Sequence, residues 1–191
     1  MARDVVKELL EQVTWHWENQ ARPRLEGLTD EEYRWLPTGE GWTVRRRDAE
    51  VPESVNLQAG TGEWLLDYGH PEPTPAPITS IAWRIAHLVI ACFGPRTHSH
   101  FGGPRVHWED WDFPGTAAGG LEQLDEAYRN WVAGVQDLSE DALWAPVGAA
   151  EGPWAESPMI SLVLHIHREA IHHLAEIALL RDLWAHREAA D

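Results

Sequence analysis

Apolar residues recur at three- and four-residue spacing in four long segments, which is the signature of helices with one buried side. The first runs over roughly 4–26, with Val5, Val6, Leu9, Leu10, Val13, Trp17 and Ala21 on one side. A short helical turn follows in "GLTDEEYRWLP", where Thr29 caps, Glu32 sits three residues on and Pro37 stops it. "PITSIAWRIAHLVIACFG" opens a second long helix, capped by Thr79 or Ser80 and reaching about Thr97. The third covers about 118–138, followed by the capping signal "LSEDALW". The fourth opens at "ESPMISLVL", with Ser157 as cap and Pro158 in the first helical position, and continues to about His186.

Two long connections separate these helices. Residues 37–77 are rich in Gly and Pro, and "VNLQAGTGEWLLDYG" within them reads as a small hairpin around "GTG". "HSHFGGPRVHWEDWDFPGTAAGG" links helices two and three. Connections this long in a compact domain are usually functional or folded over the surface. The expectation is an all-α chain: one four-helix-bundle domain over residues 1–191, with long connections between helices 1 and 2 and between 2 and 3. Bundles commonly carry metals on inward-facing side chains.

Composition narrows the partners. A net charge of −16, from 15 Lys+Arg against 31 Asp+Glu, lacks the basic footprint that nucleic acid or an anionic membrane surface requires. No run approaches about 18 apolar residues and the N-terminus has no apolar signal region, so a soluble cytoplasmic protein is expected. The single cysteine, Cys92, allows no internal disulfide and sits in an apolar helix, where it reads as a small buried hydrophobe. Twelve tryptophans point to aromatic packing or a lined pocket; Trp42, Trp64, Trp83, Trp108 and Trp111 lie in or beside the long connections.

The chemistry gathers in "LHIHREAIHHLAEIALLRDL", which places four of the eleven histidines within nine positions. With His165 set at 0° and about 100° per residue, Val163, Leu164, Ile166, Ala170, Leu174 and Ile177 form the core arc. His165, Arg168, His172 and Glu176 form the polar face. Glu169 falls near 40° and His173 near 80°, on the shoulder, while His167 near 200° points into the core or a subunit contact. Residues four apart stand side by side, which offers three pairs: His165/Glu169, Glu169/His173 and His172/Glu176. The wheel favours Glu169/His173, because that pair turns inward. A third ligand must come from another helix, and His87, in the most apolar helix of the chain, is the candidate. A helix whose histidines are partly solvated and partly buried, with no metal, is the competing reading. The fourth helix is apolar over more than half its circumference, which suggests burial on two sides and a homodimer.

At these residues the chain resembles the DinB-like (DinB/YfiT) superfamily of four-helix bundles, and within it thiol-dependent S-transferases and mycothiol-dependent maleylpyruvate isomerase-like members. The resemblance extends over the first helix, "GLTDEEYRWLP", "SIAWRIAHL" and "HREAIHHLAEIALLRDL". It implies a divalent metal held by His87, Glu169 and His173, with glutamate standing where many members carry a third histidine. It implies zinc most readily, with nickel, iron and manganese also suited to such a set, and a low-molecular-weight thiol as cosubstrate for S-transfer to, or isomerisation of, a small electrophile. Arg84, one turn before His87, would bind a carboxylate of thiol or substrate, or else form a surface ion pair. Two alternatives stay open: a metal-dependent hydrolase using Glu176 or His172 as base, and a non-catalytic dimeric bundle binding metal or a small ligand.

Overall fold

A computed structural model of the chain describes residues 4–187. Helix α1 (Val5–His16) is capped by the Asp4 carboxylate, which accepts from the Lys7 N–H, and runs on through a π-helical turn, Trp17–Ala21. Helix α2 (Asp30–Arg34) starts where Thr29 accepts from the Glu32 N–H. Strands β1 (Val44–Arg46), β2 (Leu57–Ala59) and β3 (Trp64–Tyr68) come next. Helix α3 (Ile81–His87) passes through a second π-helical segment, Leu88–Phe93, into α4 (Gly94–Phe101). Helices α5 (Ala117–Gln136), α6 (Glu140–Trp144) and α7 (Met159–Ala185) complete the described elements. The protein is mainly α, and the hairpin expected in the first long connection is part of a three-stranded sheet.

α1, α3 with its π-helical continuation, α5 and α7 pack on one another. Their shared core contains Val13, Ile85, Leu88, Phe93, Leu124, Trp131, Val135, Val163, Ile166 and Ile177, all nearly inaccessible to water. Trp17 stacks on Tyr128 with centroids 3.9 Å apart, which ties the π turn of α1 to α5. Burying a large apolar side chain contributes about 1.5–3 kcal/mol, so this core is the main reason the helices associate.

Both π-helical segments run into a proline. The Arg22 N–H donates to the Trp17 carbonyl just before Pro23, and the Gly94 N–H donates to the Val89 carbonyl just before Pro95. Proline has no N–H and its ring crowds the carbonyl four residues back, so an ordinary α turn cannot pass through it. The wider turn keeps the preceding residue bonded. At Pro95 the Ala91 carbonyl, four residues back, is taken instead by the Arg96 guanidinium. The second helical segment ends later than expected, at Phe101, where Gly102 adopts the left-handed conformation (φ 74°).

The sheet order is β1–β3–β2, all antiparallel, and β2 and β3 form the hairpin around Gly60–Gly62. β1 was not expected, because three residues carry too little alternation to read. Trp42 bridges to Thr79, the Thr43 and Ser80 hydroxyls lie 2.8 Å apart, and Ser80 caps α3 by accepting from the Trp83 N–H. Trp83 Nε1–H donates to the Asp67 carbonyl at 2.9 Å. The long connection therefore folds back and fixes the start of α3.

The start of α7 differs from expectation too. Ser157 is not the cap: its carbonyl accepts from the Val147 N–H and the Met159 N–H donates to Ala145, so this segment pairs as an extended bridge and Pro158 takes the cap position. Glu32, three residues after the Thr29 cap, turns instead to Arg181 of α7 in a two-pronged ion pair.

Candidate metal centre

α3 and α7 meet where the stacked turns of each place one polar side chain after another. His87, Glu169 and His173 come together there, each partly buried, with one ligand-type atom apiece inside a 4.8 Å circle. The His87 and His173 rings meet edge to face at 4.6 Å. Behind them the Trp83 indole lies parallel to His87, 8° off and 5.3 Å away, and fixes the plane of that imidazole. Trp42 packs behind Trp83 at 6.0 Å. Of the five tryptophans singled out in the sequence, Trp83 is the one stacked on a candidate ligand; Trp64 stacks under Arg34, Trp111 donates to Gln123, and Trp108 packs on Tyr68.

Each protonation state suits a cation. Burial, then the His173 charge, push the His87 pKa down to about 4, so His87 is a neutral imidazole at physiological pH. Burial of Glu169 works to raise its pKa. The Arg168 hydrogen bond and the charges of His165, Arg168 and His173 outweigh it, and the carboxyl is held below its ordinary value as a carboxylate. Its Oε2 stands 3.8 Å from His173 Nε2, beyond a hydrogen bond. Two imidazoles and a carboxylate are a recurrent zinc donor set, and ligands about 2.1 Å from one tetrahedral ion stand about 3.4 Å apart. The residues present fit a divalent metal on chemistry, protonation and spacing.

His173 is oriented from its far side. Its Nδ1 lies 2.7 Å from Glu176 Oε2, so Nδ1–H donates to the carboxylate and Nε2 turns toward Glu169 and His87. Glu176 is in turn ion-paired with Arg84, whose side chain is largely buried; burial lowers the Arg84 pKa, partly offset by Glu176. The remaining histidines of the cluster separate cleanly. His165 and His172 are exposed on the polar side of α7. His167 is buried against Trp131, and burial pushes its pKa down to about 4. Leu164, expected at the edge of the core arc, faces outward at 53 % exposure. Cys92 is buried, and burial with the nearby Glu169 charge raises its thiol pKa to about 12, so it is no thiolate at neutral pH.

Two features were missed in the sequence reading. The role of Glu176 as the acceptor for His173 had one visible signal, the three-residue spacing between them. The second is a cavity of about 350 Å³ one helical turn from the centre, walled by Arg96, Glu151, Trp154, Ser161, His165 and Arg168 and by none of the three candidate ligands. Two of its wall residues reach Glu169: Arg168 is 3.1 Å and His165 3.7 Å from Glu169 Oε1. Glu151 is nearly buried there, 2.9 Å from His100 and 3.5 Å from Arg96. Ser161, His165 and Arg168 share helical spacing on α7, but Arg96 and His100 come from a segment more than 50 residues before Glu151, which leaves no local trace.

A family profile for the DinB superfamily matches residues 12–177, most of the chain including all three candidate ligands. The protein belongs to the DinB superfamily. No curated protein and no solved structure gives a match. No described helix is long and apolar enough to cross a membrane.

Proposed function

We propose that the protein is a divalent-metal-dependent enzyme that binds the sulfur of a low-molecular-weight thiol and presents it to a small electrophile, for S-transfer or isomerisation. Its four long helical segments are read as a four-helix bundle whose α3 and α7 hold the metal, zinc by preference, through His87, Glu169 and His173. The observation that carries this reading is the three-ligand cluster, which would leave a coordination position for an incoming ligand, one helical turn from a cavity whose His165 and Arg168 reach Glu169. A divalent ion bound there lowers the pKa of a coordinated thiol and so makes a thiolate available at neutral pH.

The chain's own residues do the rest. Trp83 and Glu176 hold the two imidazoles in plane and tautomer, and Arg84 anchors Glu176. Arg96, Glu151 and Arg168 face the cavity, with Arg96 paired to Glu151 and Arg168 to Glu169. The hydrolytic alternative would need Glu176 or His172 as a free base, and Glu176 already accepts from His173 and pairs with Arg84. On α7, exposed Leu164, Leu179 and Leu183 support a second copy of the chain as their cover. The test is conjugation of a thiol to monochlorobimane by the zinc-loaded protein. The expected result is turnover that falls at least 100-fold in both His87→Ala and His173→Ala; equal rates in wild type and variants would overturn the proposal.

A further inference from the structure

The centre shares a histidine with a second cluster. His172, His173 and Glu176 also bring ligand-type atoms within 4.8 Å of one another. His172 Nε2 lies 3.3 Å from Glu176 Oε1, and His173 Nδ1 lies 2.7 Å from Glu176 Oε2. The two clusters use opposite nitrogens of the same ring. A neutral imidazole carries one N–H, so when Nδ1–H is donated to Glu176 only Nε2 has a lone pair to offer. Whatever holds Glu176 against Nδ1 therefore decides which cluster binds a cation.

Arg84 holds it. It sits three residues before His87 on α3, so one helix supplies both a candidate ligand and this anchor. Its NH1 pairs with Glu176 Oε2 and lies 3.4 Å from His173 Nδ1, which is the place a cation bound to the second cluster would take. Its side chain is only 17 % exposed, and its Nε is buried with no partner. A positive charge sequestered beside a cation site weakens that site by repulsion, so its placement needs a compensating role. Closing the second cluster is such a role.

We propose that Arg84 is a tethered cation that fills the His172–His173–Glu176 cluster and thereby confines divalent metal to His87, Glu169 and His173. This rests on the metal reading above. Arg84 acts through Glu176 and His173 and is a positioning residue.

Equilibrium dialysis of the full chain against zinc tests it. Wild type is expected to hold one zinc per chain, lost in His87→Ala and kept in His172→Ala. Arg84→Met keeps the apolar stem but removes the charge. It is expected to let zinc bind at His172, His173 and Glu176 instead, so that Arg84→Met/His87→Ala keeps one zinc per chain, which His172→Ala then removes. Arg84→Lys keeps the charge, and Arg84→Lys/His87→Ala is expected to hold no zinc. An Arg84→Met/His87→Ala protein that holds no zinc, or whose zinc survives His172→Ala, overturns the inference while leaving the metal reading in place. Wild type that binds no zinc overturns both. If Arg84→Met fails to fold, the imidazole nitrogen shifts of metal-free wild type decide: His173 as the Nδ1–H tautomer supports the inference, and the Nε2–H tautomer overturns it.

Discussion

Two carboxylates on either side of Trp83 are used in opposite ways. Asp67, in the central strand β3, is fully buried and accepts from the Thr43 N–H, from Arg45 and from Gln58. Glu169, on α7, directs one oxygen toward Arg168 and leaves the other 3.8 Å from His173, unbonded to it. The first is closed by its own chain and holds the long connection against α3. The second belongs to a group of donors gathered near one point but not bonded to one another, which is the condition for binding something else. Burial of charge by itself does not separate a structural cluster from a site; completeness of the hydrogen bonding does.

That contrast breaks most visibly through the ligands. Alanine at His87, Glu169 or His173 is expected to lower zinc affinity at least 100-fold, read by competition with a chromophoric chelator, with little loss of fold. Asp67→Ala should do the reverse. It strands the Arg45 guanidinium and the Thr43 N–H, and urea unfolding should show a loss of about 3 kcal/mol with zinc affinity changed less than threefold.

Acid sharpens the same comparison. His87 and His167 titrate near pH 4 in the folded chain because burial keeps them neutral, whereas an unfolded histidine takes its proton near 6.5. Their neutral state therefore costs nothing above about pH 7. Stability is lost as pH falls from about 6.5 toward 4, by about 2 kcal/mol per histidine at pH 5. Urea midpoints of the metal-free protein at pH 7.5 and 5 check this, and His167→Gln should remove about half of the drop. The smallest effect is expected at His165, exposed on α7: alanine there should change zinc affinity less than threefold and stability by under about 0.5 kcal/mol.

Much of the helical skeleton was legible in the sequence. Thr29 caps where the pattern placed it, Ser80 is the cap of the two residues offered for α3, and a wheel at 100° per residue holds for most of Met159–Ala185, Leu164 apart, because that helix is regular α throughout. The same wheel cannot follow Leu88–Phe93, where the π-helical turn shifts the register of everything after His87. The hairpin showed itself through its glycine turn, while β1 is too short to alternate. At the centre, Glu169 and His173 were legible from their four-residue spacing, and His87 from an apolar helix with few other polar groups. The Arg84–Glu176 pair was not, because it spans 92 residues of chain and depends on how α3 and α7 cross.

X-ray absorption at the zinc edge of the loaded wild-type protein tests the central claim most directly. The account predicts one zinc per chain in a nitrogen and oxygen shell with the scattering of two imidazoles, a signal lost in His87→Ala. A shell containing the Cys92 sulfur, or an all-oxygen shell unaffected by His87→Ala, would contradict it.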